Sequence, residues 1–236
     1  MVEYLYVAGK HHNYIVESNQ VVLLYKCEGD YSAMVLADGV STCEQAKEGA
    51  ALACESVIEF LLQHSNRLFF MENQDIAISL ISQVTYRLGT AAQQQNHGIE
   101  EYSSTLACVL FDRRSNKMLY FSVGDSLITA VKDSMCYIVA MPADSRNGCC
   151  VTTTLNAAAD AKVGIIDVKG VSSVMICSDG AWRLMYRRTR MNPELEKLIV
   201  SQEYDKLREQ LLEKDRFDDC SFILMDLKSY ARRKIA

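Results

Sequence analysis

Short apolar runs rich in β-branched and aromatic residues fill much of the chain outside two long segments of helical period, and this change of period limits the fold more than any other feature. The runs are Val21–Lys26, Ser32–Ala37, Thr105–Phe111, Met118–Val123, Leu127–Val131, Cys136–Met141, Val163–Val168, Ser172–Cys177 and Ser221–Leu227, with turns at Arg113–Asn116 and Lys132–Ser134. From Cys43 to His64, the residues Ala46, Ala50, Cys54, Val57, Ile58 and Leu61 recur three or four apart. Ser41 with Glu44, and Thr42 with Gln45, each fit a capping box, so the pattern predicts a helix starting at Ser41 or Thr42. A second helix is predicted from Asn73 to about Gln95 on the stripe Ala77, Leu80, Ile81, Val84 and Leu88, while residues 93–98 read as a polar loop. Asn192-Pro193 is a cap followed by proline at the first helical position, opening one helix or two consecutive ones up to Lys214. A helical pair, a block of hairpins, a further helical segment and a last strand make an α+β fold of sheets flanked by helices.

The chain has 236 residues, 49% hydrophobic and 23% charged, which predicts one ordinary globular domain over residues 1–236. A net charge of -5, with no basic run beyond short Arg/Lys clusters, excludes nucleic acid as a partner, since phosphate-backbone binding needs a basic stripe. The nine cysteines form no C-x-x-C pair, and Cys27, Cys54, Cys108 and Cys177 fall within apolar segments. They read as reduced, buried thiols, and the expected location is cytoplasmic. Cys149-Cys150 has no basic neighbour to activate it and reads as structural. Neither a basic, apolar leader nor a long apolar span occurs, so no signal peptide, membrane helix or membrane partner is expected.

Several apolar strands end on an acid. Residues 33–37 run into Asp38-Gly39, residues 173–178 into Asp179-Gly180, and residues 119–123 into Gly124-Asp125-Ser126, while Asp218-Asp219 precedes Cys220 to Leu224. Carboxylates gathered at one edge repel one another unless a cation lies between them, which points to a divalent metal site. Oxygen donors without paired His or Cys favour Mg²⁺ or Mn²⁺ over zinc, and His11-His12 read as surface residues. Each motif also has a plainer reading. Asp-Gly is a hairpin signal, Asp125 suits a turn that satisfies its own backbone, and Asp218-Asp219 suits a solvated pair. Asp38-Gly39 differs in being followed by a helix start instead of a returning strand.

Taken in order, VLADGVS at 35–41, SSTLACVLFD at 103–112, LYFSVGDSL at 119–127, VMICSDGAW at 174–182 and DDCSFILM at 218–225 resemble the protein phosphatase 2C-like (PPM) family of metal-dependent serine/threonine phosphatases. The chain looks like a divergent, short, bacterial-type member. The resemblance implies an αββα sandwich of two central antiparallel sheets flanked by helices. It implies that Asp38 bridges two metals, that Gly39 offers its carbonyl, that Asp179 and Asp218 are ligands, and that Asp125 supports a third, weaker metal. Asp38, Asp179 and Asp218 would then be the catalytic set, with Mn²⁺ or Mg²⁺ acidifying a water that attacks a phosphoserine or phosphothreonine of a protein substrate. The chain departs from the family pattern in four places. The run Ser18-Asn19-Gln20-Val21 lacks the usual acid; the phosphate-binding arginine nearby is absent, leaving Lys10, His11 and His12 as the cations there. Val40-Ser41-Thr42 replaces the glycine-rich continuation, and Arg183 stands where a carboxylate is common. A relative that keeps the fold as a phosphoprotein-binding or regulatory module is the alternative.

Overall fold

The structure is a computed structural model, and it describes residues 2–7, 20–143, 150–213 and 219–227. In chain order the first elements are β1 (Val2–Val7), β2 (Val21–Glu28), β3 (Tyr31–Asp38), α1 (Ala46–Gln63), α2 (Ser65–Leu68), α3 (Asn73–Gln95), β4 (Leu106–Asp112) and β5 (Lys117–Val123). There follow β6 (Leu127–Lys132), β7 (Met135–Ala140), α4 (Ala157–Asp160), β8 (Lys162–Asp167), β9 (Val171–Cys177) and α5 (Asp179–Met185). The last are β10 (Tyr186–Arg187), β11 (Arg190–Met191), α6 (Pro193–Val200), α7 (Tyr204–Glu213) and β12 (Cys220–Asp226). The described residues form two compact units: 20–126 with 142–143 and 150–169, and 2–7 with 127–141, 170–213 and 219–227.

In the first unit a five-stranded antiparallel sheet runs β2-β3-β4-β5-β8. The period of two decides its register: Leu24 pairs with Val35, Val35 with Cys108, Cys108 with Phe121 and Phe121 with Val163, all on the face that α1 and α3 cover. Val57 and Leu61 of α1 and Leu80, Val84 and Leu88 of α3 pack into the same core. Each fully buried side chain of this kind is worth roughly 1.5–3 kcal/mol relative to exposure.

The second unit repeats the plan with the order β1-β12-β9-β6-β7. Leu5, Phe222, Cys177 and Leu127 form one ladder across four strands and meet Leu195, Leu198, Leu207 and Leu211 from α6 and α7. Asn192 caps α6, its side chain accepting from the Glu194 N–H at 2.9 Å, as the sequence predicts. Of the one or two consecutive helices expected up to Lys214 the structure has two, parted at residues 201–203, where Gln202 takes a left-handed φ of 62°.

Three expectations are corrected. The first long helix starts at Ala46, and its cap, Gln45, makes no side-chain cap bond. The capping boxes at Ser41 and Thr42 lose to long-range acceptors: the Glu101 carboxylate takes the Glu44 N–H at 3.0 Å, and the Glu101 carbonyl takes that of Gln45 at 3.1 Å. Gln93 to Gln95 belong to α3, which ends at a left-handed Asn96. Cys54, Cys108 and Cys177 are buried, and burial pushes their thiols up, but Cys27 is exposed on the edge strand β2. Among the described residues no helix is long and apolar enough to cross a membrane.

Candidate functional site

Asp38 is the last residue of β3, paired across the sheet with Val21. Its backbone is held from the other side by Thr105, whose N–H donates to the Asp38 carbonyl at 2.8 Å and whose hydroxyl accepts from the Asp38 N–H at 3.2 Å. The chain then leaves the sheet as one pinned segment. The Gly39 N–H donates to the Gln20 carbonyl at 3.3 Å, and the Val40 N–H donates to the Ser103 carbonyl at 3.0 Å. Gly39 is required for this path because a Cβ there would lie 2.7 Å from the carbonyl oxygen of Ala46, the first residue of α1.

Thr105 also packs against Gly124, the residue before Asp125. Gly124, at φ 98°, lies so close that a Cβ would stand 2.7 Å from the Thr105 methyl carbon. Asp38 and Asp125 therefore flank one buried threonine, each half-exposed at the end of a strand. Segment 103–105 is itself secured by the Thr152 N–H, which donates to the Ser104 carbonyl at 2.9 Å, and by a 2.6 Å hydroxyl contact between Ser103 and Thr153.

In the other unit Asp179 follows β9 and opens α5, and Asp219 leads into the neighbouring β12. Ser178 ties them together. Its hydroxyl donates to the Asp219 carbonyl at 2.9 Å and accepts from the Ser221 N–H at 3.0 Å, while its own N–H donates to the Ser221 carbonyl at 2.9 Å. All of these groups are buried, so Ser178→Ala leaves a donor and an acceptor without partners and is expected to cost ~1–3 kcal/mol in urea unfolding.

Of the sequence-predicted residues, Asp38 is bonded to Thr105 and followed by Gly39, Asp125 follows a glycine packed on the same threonine, and Asp179 follows the serine that bonds Asp219. Asp218, Lys10, His11 and His12 lie outside the described residues. Among the described residues no three His, Cys, Asp or Glu side chains form a group able to hold a metal. The donor chemistry nevertheless fits a hard dication in each unit taken by itself: the half-buried carboxylates of Asp38 and Asp125 with the buried Ser126 hydroxyl in the one, and the half-buried Asp179 carboxylate with the buried Ser221 hydroxyl in the other, both hydroxyls without a described partner. Arg183 runs against that chemistry, its Nη1 lying 3.0 Å from Asp179 Oδ2. Cys150 is half-buried and burial pushes its thiol up, while Cys149 lies outside the described residues.

Thr105, Ser178 and Glu101 are the site-building residues that the sequence did not single out. Thr105 and Ser178 lie inside the motif segments at 103–112 and 174–182, next to the acids they hold.

The profile of the protein phosphatase 2C family matches residues 8–214. The chain belongs to the protein phosphatase 2C family. Solved structures agree with that membership in fold. A bacterial serine phosphatase superposes with a TM-score of 0.70 at 15% identity, over 96% of this chain and 97% of that one. Serine/threonine phosphatase Stp1 from Staphylococcus aureus gives 0.70 at 15% identity, over 96% and 94%. RsbX in complex with magnesium gives 0.59 at 14% identity, over 94% and 92%. No curated protein sequence matches the chain. The α+β architecture of two antiparallel sheets with flanking helices is that of the protein phosphatase 2C fold.

Proposed function

We propose that this protein phosphatase 2C family member hydrolyses phosphoserine or phosphothreonine in a protein substrate, with Asp38, the Gly39 carbonyl, Asp179 and Asp218 holding Mn²⁺ or Mg²⁺ and Asp125 serving a weaker third ion. The observation that supports it most is the rigid mounting of the first ligand pair: Asp38 and Gly39, with Val40 after them, are secured by hydrogen bonds to two different segments, at Gln20 and at Ser103 to Thr105. A bound divalent ion supplies the acidification of a water nucleophile and the charge that offsets phosphoryl oxygens. The protein's part is placement. Thr105 holds Asp38 by two hydrogen bonds and packs against the glycine before Asp125, and Ser178 keeps the start of β12 against the end of β9, so little reorganisation is left for the reacting complex. The magnesium in the RsbX structure supports a hard dication in this fold.

The test is turnover of p-nitrophenyl phosphate and of a phosphoserine peptide with Mn²⁺. Hydrolysis of both that stops on adding EDTA supports the enzyme. A folded protein with no turnover at any Mn²⁺ concentration decides for the alternative, a phosphoprotein-binding or regulatory module. Two observations favour that second reading: Val21, directly across from Asp38, is fully buried and apolar, and Asp179 is engaged by Arg183.

A further inference from the structure

We propose that Arg183 competes with the divalent cation for Asp179, so that this one side chain sets the cation concentration at which the site fills. The inference rests on Asp179 being a metal ligand, as proposed above. Asp179 and Arg183 are four residues apart on α5, hence one turn apart on the same helix face, and Arg183 Nη1 lies 3.0 Å from Oδ2. A guanidinium so placed uses lone-pair directions that a cation needs, and its charge would stand beside the dication. The carboxylate side chain is only 13% exposed, so water screens the pair less than it screens a surface pair.

The arginine head has a second hold, since its Cζ lies 5.7 Å from the centroid of the Trp182 ring. Its side chain is 50% exposed, which leaves it room to swing into solvent with α5 intact. One side chain thus has two arrangements: on the carboxylate and the indole, or released while a cation holds the carboxylate. Cation binding must displace the first to reach the second. Trp182 is the single tryptophan of the chain, so its fluorescence reports which arrangement is populated.

The experiment is a Mg²⁺ titration of the full chain by calorimetry and by Trp182 emission, for the unmodified protein, Arg183→Gln and Arg183→Lys. Arg183→Gln is expected to bind Mg²⁺ about tenfold more tightly at unchanged stoichiometry. Arg183→Lys keeps the charge without the planar fork and stays closer to the unmodified protein. Mg²⁺ shifts Trp182 emission in the unmodified protein, and the shift is lost in Arg183→Gln. Equal Mg²⁺ affinity with and without the arginine overturns the competition while upholding the metal site. Absence of Mg²⁺ binding in all three proteins overturns both.

Discussion

Asp38→Asn is expected to lower Mn²⁺-dependent kcat/KM on p-nitrophenyl phosphate by ~100-fold or more, while thermal unfolding stays close to that of the unmodified protein. Groups behind a metal ligand commonly contribute ~10–100-fold to metal affinity or activity, so the loss of a direct ligand belongs at or above the top of that range. A hundredfold change corresponds to roughly 2.7 kcal/mol of transition-state stabilisation. The two consequences separate because the contacts that mount Asp38 belong to its backbone. The Thr105 N–H bond to its carbonyl and the bond from its own N–H to the Thr105 hydroxyl both survive the change of one carboxylate oxygen to an amide. Asparagine keeps the shape and removes the charge that a dication needs. Asp133→Asn is the matched control, because Asp133 sits at φ 53° in the β6–β7 turn, where asparagine is also at ease. It should leave turnover unchanged. Full turnover in Asp38→Asn would remove Asp38 from the ligand set.

Legibility from sequence followed the range of the forces involved. Helix α3 and strands β3 and β5 emerge from local period, because the buried stripe is the same whatever they pack against. The candidate acids are legible for the same reason: each interrupts an apolar run, so it has to stand at a strand end. The groups that hold those acids depend on pairings far apart in sequence, 67 residues for Asp38 with Thr105 and 41 for Ser178 with Asp219. Nothing local marks them. The start of α1 is displaced from the two local capping boxes because they compete with Glu101, 57 residues from Glu44, and the distant acceptor wins. Strand β1 is illegible locally because its partner among the described residues, β12, comes at the other end of the chain. The interruption between α6 and α7 turns on Gln202 accepting a left-handed backbone, a conformation its side chain does nothing to advertise.

Glycine to alanine inside a helix ordinarily stabilises, by ~1 kcal/mol, because alanine has less backbone freedom to lose. The two long helices of the first unit are expected to answer the same change with opposite signs. At Gly89 of α3 an added Cβ would meet nothing nearer than the Ile99 Cδ1 at 3.9 Å, an ordinary contact. Gly89→Ala should therefore raise Tm, by roughly 2–4 °C for a chain of this size. At Gly49 of α1 the Cβ would fall onto the peptide of Tyr102, 2.6 Å from its carbonyl carbon and 2.8 Å from its Cα. Here the obstacle is backbone, and it cannot swing aside. Tyr102 ends the short 3-10 turn Ile99–Tyr102 and is itself fully buried, so α1 and that turn would have to separate. Overpacking of a tight core costs ~1–3 kcal/mol or more, which exceeds the helix-propensity gain and decides the sign. Gly49→Ala should thus lower Tm by several degrees, and calorimetry of the two variants side by side measures the difference. The same displacement reaches the site, because the segment that would move runs on through Ser103 and Ser104 to Thr105, which is bonded to Asp38 and packs against the glycine before Asp125. Gly49→Ala is accordingly expected to weaken Mn²⁺ binding as well as stability, whereas Gly89→Ala leaves Mn²⁺ binding as it was; a gain of stability at Gly49 would refute the close approach of α1 to residue 102, and a loss at Gly89 would refute the open space beside α3 there.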